Sequence, residues 1–152
     1  VMPGLTAKVF RTYHASEVVR KCLNKAKISE ADPVFVKKHT AKMANLQAAI
    51  VGNHKKKPSK NWQASLEKKK ERIRKLRAKN TEKSKQTIKT VQLKIEELKA
   101  TKDYNLRTSL KSYIDPRIYY EWGRKVEFDW KLYYPKALQN KFSWVERELI
   151  NS

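Results

Sequence analysis

WQASLEKKKERIRKLRAKNTEKSKQTIKTVQLKIEELKA, residues 62–100, is the stretch on which the fold class turns. Trp62, Leu66, Lys69, Ile73 and Leu76 step by four and three, and Ile88, Val91, Ile95 and Leu98 repeat the pattern after a polar gap at Asn80 to Ser84. That spacing puts each set on one stripe of a helix. Two helices of about 18 residues, each about 27 Å long at 1.5 Å per residue, joined by a short turn, make an antiparallel hairpin with one narrow apolar seam. Lys69 occupies a seam position, so the hairpin is expected to be loosely packed and mobile. No segment of the chain sustains the alternation of a sheet. The predicted class is therefore mainly α.

Upstream of the hairpin, a basic break of Lys55, Lys56, Lys57, Pro58, Ser59 and Lys60 suits neither a core nor a helix interior and marks a boundary. Before it the sequence predicts helices joined by short turns. Ser16 is expected to cap a helix through Val18, Val19, Cys22 and Leu23. Asp32 with Pro33 gives a cap and first turn for a second helix reaching Ile50 and Val51, burying Val36, Met43, Leu46 and Ile50. Downstream, from Asp103, large residues accumulate, among them Tyr113, Tyr119, Trp122, Phe128, Trp130, Tyr134, Phe142 and Trp144. Here Asp115 and Pro116 predict a cap and first helical residue. Pro135 is expected to open a final helix through Leu138, Phe142, Val145 and Leu149. A small compact helical unit follows from this pattern.

The whole chain has 152 residues, with 36 Lys and Arg against 15 Asp and Glu, a formal charge of +21. So large a positive charge calls for a polyanionic partner, nucleic acid before an acidic membrane surface. No apolar run approaches the roughly 18 residues of a spanning helix, and VMPGLTAKVF at the N-terminus lacks the pattern of a secretory signal, so a soluble chain is expected. Cys22 is the single cysteine, which excludes an internal disulfide and a Cys-rich zinc site. It reads as a small core residue. Gly4, Gly52 and Gly123 are too few and too scattered for a phosphate-cradling loop. Nucleotide-driven chemistry, a metal and a cofactor are therefore not expected.

Four stretches carry a resemblance: LTAKVFRTYHAS around Arg11, the GNH that ends in His54, SLKSYIDPRI around Tyr113, and KLYYPKALQNKFSWV near the C-terminus. In that order, with a charged hairpin between the His and Tyr motifs, the chain resembles the C-terminal part of eukaryotic-type DNA topoisomerase I, the type IB family. The resemblance implies three parts: residues 1–58 as the C-terminal end of the catalytic core domain, 59–102 as a helical hairpin linker, and 103–152 as a C-terminal domain carrying the nucleophile. It implies nicking and closing of double-stranded DNA without ATP, through a 3'-phosphotyrosine. Tyr113 would be the nucleophile, Arg11 an active-site arginine, and His54 a donor to a non-bridging phosphate oxygen. A further arginine, and a lysine that protonates the leaving 5'-oxygen, lie upstream in the family, so the upstream part of the same enzyme is an implied partner. The family's usual Ser-Lys-x-x-Tyr is altered here, where Ser109, Leu110, Lys111, Ser112 and Tyr113 place the lysine one position later and put Ser112 in place of the common Asn. Family context implies a nuclear location if the source is eukaryotic, and cytoplasm or nucleoid if it is archaeal; the brief hairpin leans towards an archaeal or divergent protist source.

Lys55, Lys56, Lys57, Lys111 and Ser112, flanking His54 and Tyr113, are the expected DNA contacts. Lys83, Lys85, Lys89 and Lys94 read as the hairpin's solvated face with a secondary role over DNA, and His14 and His39 read as surface residues. Two rival readings compete with this one. A non-enzymatic basic nucleic-acid-binding protein accounts for charge and helices but gives no reason for Arg11, His54 and Tyr113 in their contexts. A tyrosine recombinase shares the phosphotyrosine, yet its His-x-x-Arg would require arginine where Lys57 stands.

Overall fold

The computed structural model describes residues 6–150, so Leu5, the first residue of the Arg11 motif, lies outside the described residues. Helix α1 runs Ala7–Lys25 and α2 Val34–Val51; α3, Trp62–Lys79, and α4, Glu82–Ala100, form the hairpin; α5, Leu106–Ser112, and α6, Pro116–Val126, follow. A 3-10 turn at Trp130–Leu132 leads to α7, Lys136–Lys141, and α8, Trp144–Ile150. Among the described residues there is no strand. A single antiparallel bridge joins Lys55 to Tyr104.

Local chemistry sets most boundaries. Thr81 and Ser84 form a reciprocal capping box at the start of α4, and Asn80 turns the chain in the left-handed region at φ 48°. Asp115 caps α6 by accepting the Arg117 N–H, with Pro116 as its first residue, as the sequence predicts. Three expected boundaries differ. Thr6, not Ser16, caps α1, and Ser16 is buried in mid-helix. Asp32 spends its carboxylate on the Ser29 N–H at 2.7 Å, which leaves Pro33 as the N-cap of α2. The helix expected from Pro135 to Leu149 is two short ones, because the backbone leaves helical geometry at Phe142. Leu138, Phe142 and Val145 all remain buried across that break.

One hydrophobic cluster spans both ends of the chain. It joins Ala15, Val19 and Leu23 of α1 and Ala41, Ala44 and Ala48 of α2 to Leu110, Ile114, Tyr119, Trp122, Phe128, Trp130, Tyr134 and Val145. The segments before and after the hairpin therefore share a core. Alanines carry the inner face of α2, which lets α1 approach closely; Leu46 is buried as expected, Val36 and Met43 are half-buried, and Ile50 is 41% exposed. The apolar face is rotated relative to the one read from the large residues. Gly123 allows a close approach, since a Cβ there would lie 2.1 Å from the Phe128 carbonyl oxygen. Lys37, buried, binds the Glu30 carbonyl at 2.9 Å and the Glu127 carbonyl at 3.4 Å and so ties α2 to the end of α6.

The hairpin buries little, only Leu66, Ile73, Ser84 and Val91 being fully enclosed. It nevertheless docks on α2. His39 Nδ1 lies 3.2 Å from Glu97 Oε1, and Lys42 reaches the same carboxylate at 3.9 Å. His39 is thus a half-buried contact and not the free surface residue the sequence suggests. The mouth of the hairpin closes where Trp62 Nε1 donates to the Leu98 carbonyl at 2.9 Å and Lys102 Nζ sits 4.3 Å from the Trp62 ring centroid.

Candidate active site

The GNH motif has a physical reading residue by residue. Helix α2 ends as Gly52 N–H returns to the Ala48 carbonyl, and Asn53 reverses the chain in the left-handed region at φ 56°. Asn visits that region more readily than most side chains. His54 then folds its ring back over Gly52, where a Cβ would fall 2.6 Å from Nε2. Any larger residue there would push the imidazole off this seat, while φ places no demand on the position. The segment after the hairpin fastens this loop: the Asn105 N–H donates to the His54 carbonyl at 2.6 Å, and the Lys56 N–H to the Asp103 carbonyl at 2.9 Å.

Asn105 caps α5, which delivers Tyr113 at its C-terminal end. The Tyr113 N–H donates to the Ser109 carbonyl at 2.9 Å. Its ring stacks on His54 with centroids 5.1 Å apart and 26° between planes. Two further serines hold the pair. Ser109 Oγ is 2.7 Å from His54 Nδ1, and Ser16 of α1 donates to the Tyr113 carbonyl at 3.4 Å while accepting the Asp115 N–H at 3.0 Å. Burial holds the His54 imidazole below its ordinary value of 6.5, so the ring is neutral at pH 7.

Arg11, His54 and Tyr113 line one cavity of about 230 Å³, with Phe10, Gly52 and His14 among its walls. Three segments far apart in the chain thus bring a phenol, an imidazole and a guanidinium to one place. That set can supply an oxygen nucleophile and two kinds of hydrogen-bond donor to a phosphate. A larger cleft of about 440 Å³ between α2 and the hairpin is lined by Lys38, Lys42, Lys69 and Lys94, and holds none of the three.

Tyr113 packs half-buried against the edge of the aromatic core, in which Tyr119 and Tyr134 are fully buried. Tyr119 and Tyr134 have hydroxyls pushed well above 10 by burial, and that of Tyr133 is raised by the same cause. Tyr119 donates to the Ala41 carbonyl at 2.8 Å, and Tyr133 accepts from Asn45 Nδ2 at 2.8 Å. These are structural phenols.

Residues 1–103 match the family described as eukaryotic DNA topoisomerase I, catalytic core, and residues 85–150 match the C-terminal topoisomerase domain. The chain belongs to the eukaryotic DNA topoisomerase I family. DNA topoisomerase 1 of Caenorhabditis elegans is 34% identical over 165 residues, covering 95% of this chain and 20% of that protein. The Drosophila melanogaster enzyme is 32% identical over 162 residues, and the Homo sapiens enzyme 31% over 176, again across 95% of this chain. The chain spans 16% and 23% of those two relatives. All three are eukaryotic, so the archaeal source suggested by the short hairpin is not supported.

Within this topoisomerase family chain, Lys55, Lys56, Lys57 and Lys111 are exposed, and Ser112 is half-buried beside Tyr113. The Lys55–Tyr104 bridge sets the lysine run directly beside His54. Lys111 keeps its side chain in solvent while its carbonyl accepts Lys141 Nζ at 3.1 Å. Sequence reasoning missed four neighbours of the site: His14, Ser16, Gly52 as a seat for the ring, and Ser109. His14 had a detectable signal, since it stands three residues from Arg11 and so on the same helix face. Ser109 stood in the motif before Tyr113 and Ser16 had no signal, and the contacts of both were hidden because their partners are remote in sequence. Among the described residues no cluster of His, Cys, Asp or Glu could hold a metal ion, and no helix is long and apolar enough to cross a membrane.

Proposed function

We propose that this chain is the C-terminal part of a type IB DNA topoisomerase, which relaxes supercoiled double-stranded DNA by transient cleavage of one strand. The observation that carries the reading is the convergence of Arg11, His54 and Tyr113 on one cavity. Tyr113 Oη attacks the phosphorus of a phosphodiester, the P–O5' bond breaks, and a 3'-phosphotyrosine forms. The phenol proton passes to solvent water as the new bond forms, and a proton is taken back when Tyr113 leaves on religation. Free rotation of the 5' end and attack of its hydroxyl on the phosphotyrosine restore the strand and return Tyr113. One phosphodiester replaces another, so no nucleotide is consumed.

Arg11 stabilises the charge that builds on the phosphate oxygens in the transition state, and His54 donates a hydrogen bond to one of them. The acid that protonates the leaving 5'-oxygen, with a second arginine, comes from the upstream part of the same enzyme. Val9, Phe10, Tyr13, Ile50 and Val51 are large apolar residues left exposed at this end of the molecule, which suits contact with that part. Lys55, Lys56, Lys57, Lys111 and Ser112 meet the DNA backbone around the site. Residues 1–58 then belong to the catalytic core, 59–102 to the linker and 103–152 to the C-terminal domain, and the enzyme acts in the nucleus.

The test is covalent trapping on supercoiled DNA with the complete enzyme, quenched with denaturant. Tyr113→Phe deletes one oxygen from a half-buried ring and should abolish the trapped complex with non-covalent DNA binding retained. A mutant that still forms covalent product would overturn the assignment.

A further inference from the structure

Ser109 is fully buried on α5, and it touches both halves of the proposed chemistry. A serine inside a helix ordinarily turns its hydroxyl to the carbonyl four residues back. Here the hydroxyl faces His54 Nδ1 at 2.7 Å. Its carbonyl meanwhile accepts the N–H groups of Tyr113 and Ile114 at 2.9 and 3.0 Å. One residue therefore holds the imidazole with its side chain and the nucleophile with its backbone.

A neutral imidazole carries one N–H, and its position decides what the ring can do. With the proton on Nδ1, the Nε2 edge of the ring would present a lone pair to a phosphate oxygen, and the two would repel. With the proton on Nε2 the same edge is a donor. A hydroxyl that donates to Nδ1 requires that nitrogen to be bare. Turning the ring over would keep its stacking on Tyr113 but would exchange Nδ1 for Cδ2 and forfeit the 2.7 Å contact with Ser109.

Resting on the type IB reading of the site, we propose that Ser109 is a positioning residue that donates its hydroxyl proton to His54 Nδ1, so fixing the Nε2–H tautomer that can donate to the phosphate. Its effect passes entirely through His54. Nothing in the resemblance between Ser109 and the family's serine four residues before the nucleophile requires this role; it follows from the 2.7 Å contact and the complete burial.

The tautomer can be read directly by long-range proton–nitrogen NMR of the full chain with labelled histidine at pH 7.5. The expected pattern for His54 is a protonated Nε2 and a bare Nδ1, with the Nδ1 resonance moving on Ser109→Ala. A native His54 protonated on Nδ1 would overturn the proposal. In the complete enzyme, Ser109→Ala should slow single-turnover cleavage by about five- to tenfold, the size of one missing hydrogen bond. In a His54→Ala background the same change should slow it by less than about twofold, since the two act as one unit. Equal slowing in both backgrounds would show a merely structural serine and sink the idea. The NMR pattern needs no cleavage, so it stands or falls apart from the topoisomerase reading, which fails instead if Tyr113→Phe still traps DNA.

Discussion

The hairpin and the body it docks on are both built of helices and hold themselves together in different ways. Helices α3 and α4, of 18 and 19 residues, enclose Leu66, Ile73, Val91 and one serine, and dress their outer faces with pairs such as Lys70–Glu67 and Lys85–Glu82. Exposed pairs of this kind contribute about 0–1 kcal/mol each. The body gathers eighteen buried residues into one cluster, none of them from the hairpin. Each fully buried large side chain contributes about 1.5–3 kcal/mol, so the body carries the stability and the hairpin rides on it. Arg11, His54 and Tyr113 all sit on the body. The cleavage chemistry proposed for them would demand positions held to fractions of an ångström, and a thin-seamed hairpin does not provide that.

Removing the hairpin, residues 62–101, is the largest perturbation of this contrast. Its ends already meet, with Lys102 against Trp62, and the Lys55–Tyr104 bridge that fastens the His54 loop lies outside the deleted span. Covalent cleavage by the otherwise complete enzyme should survive. The salt dependence of DNA binding should fall by about 0.9 log units for each phosphate that a hairpin lysine had neutralised. An unchanged slope would mean that the hairpin does not touch DNA, and an enzyme that no longer cleaves would mean that the body depends on it.

Within the body, Trp122→Ala should cost about 3–5 kcal/mol in denaturant unfolding, because it removes a buried ring that packs edge-on to Phe128 at 5.6 Å. In the hairpin, Val91→Ala should cost only about 1.5 kcal/mol, the transfer energy of two carbon groups, and loosen residues 62–100 in amide exchange while the body's slowest amides keep their protection. If Val91→Ala instead lowers protection throughout, the two regions unfold as one unit and the contrast fails.

The smallest effect is on pH dependence. His54 is half-buried and the desolvation holds its value below 6.5, so the unfolded chain binds more protons than the folded one as pH falls. Its contribution to stability is complete above the unfolded value and declines as pH drops from about 6.5 towards the folded value. His54→Gln should flatten that part of the stability profile in urea titrations. A slope that persists unchanged would assign it to another group.

Local interactions made much of this molecule legible. The four-and-three spacing from Trp62 to Leu98 predicted a hairpin, and Asp115–Pro116 predicted a helix start, because neighbouring turns and caps involve residues a few positions apart. Short motifs likewise marked Arg11, His54 and Tyr113. Silent in the sequence were the contacts whose partners are distant: Ser109 meets His54 across 55 residues, and Ser16 meets the Tyr113 carbonyl across 97. Alanine was silent too, since its small side chain weighs little in a hydrophobic pattern. The close approach of α1 to α2 through Ala15, Ala41, Ala44 and Ala48 therefore rotated the buried face and left Ile50 outside. Spacing and caps determined which segments are helices. Tertiary packing alone decided that the first and last thirds of the chain share a core, because burial depends on what each face meets and not on the face alone.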